Sequence, residues 1–273
     1  MDKKKFQEFE QYKRLIHKGT EVKFDKNNEE WNLEPLIPNK GITIVEGIGG
    51  TGKSWFALDV SYAIASGIEF ANKFPVKQSG TVLYLNTDDP PQIISQRLNL
   101  ITSKYGKNNN VYWLSRLDED FPYETSFLLK RTGWESVIKT EVAEWLEYLI
   151  NTYKPVLVVL DQLLGFYGLN DDKVEELLVF HDMLRKWIRK YQCSFLLLHI
   201  KLGGFTRLKD ISEEIITYEN IKFKNGKAVK KITIEKANYY SSLLEEFPIR
   251  LQWDKGIHMC DKRKIVKENG RLK

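Results

Sequence analysis

The sequence predicts an α/β fold: a mostly parallel sheet flanked by helices, with antiparallel hairpins towards the C-terminus and a helical arm at the N-terminus. Three observations carry this. Five apolar runs, at 42–46, 81–86, 111–114, 156–160 and 194–199, are separated by stretches long enough for helices. The runs are continuous rather than alternating, as strands buried on both faces are. After residue 214 the texture changes to alternating segments around Asn225-Gly226, a strong two-residue hairpin signal, and again around Lys255-Gly256.

In chain order, residues 3–17 read as a charged amphipathic helix with Phe6, Phe9, Tyr12 and Leu15 on one face. The polar stretch "DKNNEE" at 25–30 separates it from the rest, so residues 1–30 form an arm and linker and 31–273 one domain. Helices are expected at 53–66, 91–104, 138–153 and 174–191, each between two strand runs, with Pro90-Pro91 opening the second. The charge balance, 42 basic against 37 acidic residues for a net +5, permits nucleic-acid binding without demanding it. Cys193 and Cys260 supply no disulfide framework or metal spacing. No apolar run is long enough to cross a bilayer, and "MDKKKFQEFEQYK" has no apolar signal core, so a cytoplasmic, non-membrane protein is expected.

The first strand run leads into "GIGGTGKSW", residues 47–55. Gly47, Gly52, Lys53 and Ser54 satisfy G-x-x-x-x-G-K-[ST] after a strand and before a helix, the context in which this motif cradles phosphates. Glycines let the backbone N–H groups of Ile48, Gly49, Gly50 and Thr51 turn inward, Lys53 reaches the β- and γ-phosphates, and Ser54 holds Mg²⁺. A nucleotide site with Mg²⁺ follows.

A metal-holding carboxylate is expected at the end of a neighbouring strand, and "KPVLVVLDQ" supplies Asp161. The next residue is Gln162, so the glutamate that often activates water beside that aspartate is missing. "TVLYLNTDDP" offers Asp88 and Asp89 instead, with Asp88 the expected base. The alternative is that these acids cap the helix at Pro90-Pro91. No Arg-rich lid and no Asn-Lys-x-Asp guanine motif occurs, which disfavours small-molecule kinases and GTPases.

A carboxylate on a neighbouring strand, with no Glu after Asp161, resembles the RecA/DnaB branch of P-loop ATPases. "GIGGTGKSWFALDVSYAIASG", "VLYLNTDDPPQIISQRLNL", "LVVLDQLLGFYG" and "FLLLHIK" together resemble the RepA-type hexameric helicases and their AAA-type relatives, and "ITIEKANYY" is similar to a stretch those helicases place near the subunit boundary. The resemblance implies a RecA-like core that hydrolyses ATP at a site shared between subunits of a homo-oligomer, a hexamer by expectation. It implies that Asp88 takes the place of the family's glutamate, one methylene shorter, and that Arg97 packs on adenine; Trp55, after the motif, is counted among the nucleotide-binding residues. His199 would sense the γ-phosphate, although relatives usually carry His-His and this chain has "HIKLGG". Arg207 and Lys236 match positions that reach the neighbour's site in trans.

The resemblance also implies single-stranded DNA passing through a central channel, touched by loops after the Asp161 and His199 strands. The first would be "QLLGFYGLNDDK", with Phe166 and Tyr167; the second is short, with Lys201 and Phe205. A replicative DNA helicase is therefore the expected function, with a non-translocating RecA-like regulator, loader or recombination accessory as the alternative.

Overall fold

The computed structural model describes residues 30–133, 136–169, 173–200, 210–222, 228–238, 248–254, 257–260, 267–268 and 271–272. The expected arm with Phe6, Phe9, Tyr12 and Leu15 lies outside the described residues, as do the two hairpin tips at 225–226 and 255–256.

The chain begins with a short antiparallel pair, β1 (Trp31–Leu33) and β2 (Ile37–Pro38). Then come β3 (Ile42–Gly47), α1 (Lys53–Ser66), β4 (Val82–Asn86), α2 (Pro91–Tyr105) and β5 (Val111–Ser115). A small hairpin, β6 (Leu129–Thr132) and β7 (Ser136–Lys139), precedes α3 (Glu141–Tyr153). β8 (Leu157–Asp161), the short α4 (Leu163–Tyr167), α5 (Val174–Tyr191) and β9 (Ser194–Ile200) follow. The C-terminal part adds β10 (Glu214–Lys222), β11 (Ala228–Ala237), β12 (Ile249–Asp254) and β13 (Ile257–Cys260).

One nine-stranded sheet results, in the order β13-β12-β11-β10-β3-β9-β8-β4-β5. The pairs joining β10, β3, β9, β8, β4 and β5 are all parallel, and β11 to β13 extend the sheet antiparallel. Alternate residues of the continuous apolar strands feed two cores. Val45, Val159, Leu196 and Leu198 pack with α1 and α2; Ile44, Val158, Leu160, Phe195 and Leu197 pack with α3, α4 and α5. Leu177, Phe180, Leu184, Trp187 and Ile188 lie on the buried stripe of α5 at spacings of three and four, the period of a helix seated on a sheet.

Two sequence expectations need correction. The helix expected from 138 starts at Glu141, because Ser136–Lys139 pairs with β6 and the Thr140 hydroxyl caps the helix by accepting from the Ala143 N–H at 3.3 Å. The strand carrying Asp161 is not the direct neighbour of β3, since β9 lies between them.

A buried polar link ties the C-terminal strands to α1. Asp59 accepts the backbone N–H of His258 at 2.6 Å and lies 2.9 Å from His258 Nδ1, while His258 Nε2 is 2.7 Å from the Tyr218 hydroxyl. Nδ1, facing a carboxylate that can only accept, is the ring nitrogen placed to donate to Asp59. No helix among the described residues is long and apolar enough to cross a membrane.

Candidate active site

Gly47 closes β3 and Lys53 opens α1, so residues 48–52 turn between the carboxyl end of a central strand and a helix N-terminus. The backbone dictates the glycines. Gly50 and Gly52 have φ of +75° and +92°, the left-handed region, and a Cβ on Gly47 would run into the Tyr218 carbonyl. No side chain caps α1, which leaves the N–H groups of its first turn for a ligand at the turn. The Thr51 hydroxyl donates to Ile48 O at 3.0 Å and braces the loop, whereas Ile48 is 63% exposed and Gly49 has open space around it.

Lys53 Nζ donates to Gly47 O at 2.8 Å and Ile48 O at 3.0 Å. Burial lowers its pKa from the ordinary lysine value, and the Asp161 charge opposes that shift. Ser54, next on the helix, lies close enough to the Asp161 carboxylate to favour its ionised form, so the two residues expected to hold the metal are near each other. Hydroxyl and carboxylate oxygens suit a hard cation such as Mg²⁺, which completes its shell with phosphate oxygens and water. Among the described residues no cluster of three or more His, Cys, Asp and Glu side chains forms a metal site.

Asp161 is buried, and its Oδ2 accepts from the Tyr84 hydroxyl and from Asn86 Nδ2, the latter at 3.0 Å. Burial pushes its pKa up to about 6; the Asp89 charge adds to the shift, and the donors Tyr84, Ser54 and Asn86 oppose it. Ser115, Asn86 and Asp161 are in register across β5, β4 and β8, and Thr217, Glu46 and His199 across β10, β3 and β9. The carboxyl ends of the parallel strands thus carry a polar row facing the crevice where open α/β sheets bind ligands.

The two acids after β4 part company. Asn86 Oδ1 accepts the backbone N–H groups of Asp88 and Asp89 at 2.9 and 2.6 Å, which folds the chain back at the strand end. Asp88 is exposed; its Oδ1 accepts the Thr87 hydroxyl at 3.0 Å, and Thr87 Oγ1 in turn accepts the Gln162 N–H at 3.2 Å. Asp89 is held by both arms of Arg97, at 2.5 and 3.1 Å. Neither acid caps α2, whose N-cap is Pro90 with no side-chain bond. The Arg97 guanidinium also stands 5.5 Å from the Trp55 ring centre, beside the phosphate turn.

His199 is buried on β9, between the strand of the turn and the strand of Asp161. Lys236 donates to Ser212 O at 2.7 Å, and burial lowers its pKa. It is in register with Ile215, itself beside Ile44, so within its own subunit it sits level with the interior of β3 rather than with the turn. Arg207 lies outside the described residues, together with Lys201 and Phe205. Phe166 and Tyr167, expected in a channel loop, are buried in α4 as part of the core and offer no ring to a passing base.

Sequence reasoning missed Tyr84, Asn86 and Thr87, which orient Asp161 and Asp88. Tyr84 and Asn86 stand two apart on an otherwise apolar strand, a polar pair on one face that signals a buried network. It also missed Lys230, which donates to Thr51 O at 2.6 Å from the distant β11.

A family model described as an AAA domain matches residues 13–199. The match takes in the phosphate turn, both acids after β4, Arg97 and Asp161, and ends at His199. No curated protein matches the chain.

Proposed function

The chain belongs to the AAA domain family of P-loop ATPases, and from that premise we propose that it is an ATP-hydrolysing RecA-like ring ATPase, a replicative DNA helicase that moves along single-stranded DNA. The observation that carries the ATPase reading is the approach of Ser54 and Asp161 beside the Lys53 turn, with the exposed Asp88 carboxylate two residues past the end of β4, the strand next to that of Asp161. Lys53 and the backbone N–H groups bind the phosphates of ATP, Ser54 and Asp161 hold Mg²⁺, and Asp88 takes the proton of the attacking water. The metal supplies charge stabilisation on the phosphoryl oxygens. His199 senses the γ-phosphate from its place beside the cradle strand.

In this reading the subunits form a hexamer in which Arg207 and Lys236 serve the neighbour's site, and the segment 1–30 docks on an adjacent subunit. On the DNA side, a cavity of about 470 Å³ lies between β6 and the start of α5, lined in part by Phe127, Lys130, Arg131 and Lys173. Glu176 also lines it and pairs with Arg131 and Lys173, so Lys130 is the lining cation not held by that carboxylate and the one best placed to meet a phosphate. One observation favours a second reading, a RecA-like ATPase that does not translocate: Phe166 and Tyr167 are buried rather than presented to bases.

The deciding experiment is an ATPase assay with and without single-stranded DNA or RNA, with unwinding of a forked duplex and a mass measurement in ATP. The helicase reading expects stimulation by single strands, binding that weakens steeply with salt, strand separation and a hexamer. Hydrolysis indifferent to nucleic acid, with no unwinding, selects the second reading; absence of hydrolysis under every condition overturns both.

A further inference from the structure

We infer that Lys230 is a positioning residue through which the C-terminal hairpin sets the affinity of the phosphate turn for nucleotide polyphosphate. The inference rests on the ATPase reading above and adds a cationic group that acts within the same subunit.

The hairpin of β10 and β11 touches the turn at both of its ends. At Gly47 the Tyr218 carbonyl occupies the space a side chain would need. At the other end Lys230 Nζ donates to Thr51 O at 2.6 Å and to Asn220 Oδ1 at 2.5 Å, and lies 5.8 Å from the Tyr218 ring centre. Asn220 and Lys230 are in register across the hairpin, so the strand pairing itself aims the ammonium. A Cβ built on Gly52 would stand 3.5 Å from Nζ, which puts the charge directly over the last glycine before Lys53.

The consequence lies in the peptide that joins Thr51 to Gly52. A cation on its carbonyl oxygen polarises the amide and strengthens its N–H as a donor, and N–H groups of this turn are what the motif offers to phosphate. The same bond fixes the carbonyl, so less loop freedom is lost when a ligand binds. Burial lowers the pKa of Lys230, as expected for a partly desolvated ammonium whose hydrogen bonds are strengthened by its surroundings. Lys230 belongs to no sequence motif and joins the turn only through the fold.

The test uses the full chain and Mg·ADP as probe, with calorimetric titration of wild type, Lys230→Gln, Lys230→Arg and Asn220→Ala. Lys230→Gln is expected to weaken binding about tenfold, as loss of a charged hydrogen bond does. Lys230→Arg, which keeps the charge, recovers most of the affinity. Asn220→Ala, which leaves Lys230 on Thr51 alone, binds at least as tightly as wild type. In turnover the Gln variant raises KM far more than it lowers kcat. Mg·ADP slows amide exchange in 214–222 and 228–237 of the wild type but not of the Gln variant. Unchanged affinity in Lys230→Gln with a lowered melting temperature makes the lysine a structural tether and overturns the inference. Equal weakening in Asn220→Ala also overturns it, because the hairpin rather than the charge is then responsible. A wild type that binds no Mg·ADP sinks the ATPase reading instead, an outcome distinct from both.

Discussion

Arg97 holds Asp89 with both arms of its guanidinium, Nη1 to Oδ2 at 2.5 Å and Nη2 to Oδ1 at 3.1 Å. Both oxygens of Asp89 are thereby engaged, while the adjacent Asp88 keeps an exposed carboxylate. Asp88→Asn is expected to retain ATP binding and lose about 10²-fold or more in turnover, the scale of a general base. Asp89→Asn is expected to lose much less. Single-turnover hydrolysis by the two variants checks this, and the reverse order of losses moves the base to Asp89.

Lys53→Ala is expected to abolish hydrolysis and remove most nucleotide affinity. The ammonium is the cation that the motif itself supplies, and its loss also strips a donor from the Gly47 and Ile48 carbonyls. Titration with Mg·ATP reads the affinity directly; wild-type binding in the variant would remove the cradle assignment.

The pH dependence follows from Asp161, whose carboxyl is pushed up to about 6 by burial. In the proposed site Asp161 is a metal ligand and has to be ionised, so Mg²⁺-dependent hydrolysis is expected to rise as pH climbs through about 6 and to level off above it. The Tyr84 donor favours the ionised form, so Tyr84→Phe moves this limb to higher pH. The Asp89 charge disfavours it, so Asp89→Asn moves the limb to lower pH. Stability has the opposite slope. The folded carboxyl binds its proton more tightly than the unfolded one, near ~4, so Asp161 favours folding below that value and loses this contribution as pH rises through about 6. Asp161→Asn should therefore melt higher than wild type at pH 7.5 while hydrolysing nothing. Rate profiles and melting curves across pH 4.5–8 check both signs.

Asp59→Ala should cost about 3 kcal/mol of unfolding free energy, because His258 then keeps a buried backbone N–H and a ring N–H with no acceptor. Urea titration measures the loss. A cost near zero would mean that water or another group takes the place of the carboxylate.

Much of the fold was legible because continuous apolar strands leave a strong signal. β3, β4, β5, β8 and β9 all begin and end within one residue of the apolar runs that announced them, and α1 and α5 coincide with their expected spans. The hairpin of β6 and β7 was not legible: Leu129 is its one fully buried residue, and Lys130, Arg131 and Thr132 form no apolar period. Strand order was hidden as well, because nothing in "FLLLHI" says that β9 inserts between β3 and β8. At the site, the turn and Asp161 stood out by motif, whereas Asp88 and Asp89 are the same residue type side by side. Only the Arg97 ion pair on Asp89 and the Thr87 hydroxyl on Asp88 separate them. Phe166 and Tyr167 read as loop aromatics because the resemblance places a channel loop after the Asp161 strand. In the fold the segment is the short helix α4, Gly165 leaves no room for a Cβ against Thr87, and both rings lie in the core.

The position of β10 beside β3 bears on what can be cut from this protein. The family match stops at His199, yet β3 is flanked on one side by β9 and on the other by β10, which starts at Glu214. A chain trimmed to the matched segment would leave β3, which leads into the phosphate turn, on the rim of the sheet, with Thr43 to Glu46 unpaired along that side. Bare rims of this kind pair with other chains and aggregate. The matched segment is smaller than the unit of paired strands, and expression trials should keep the chain through Cys260.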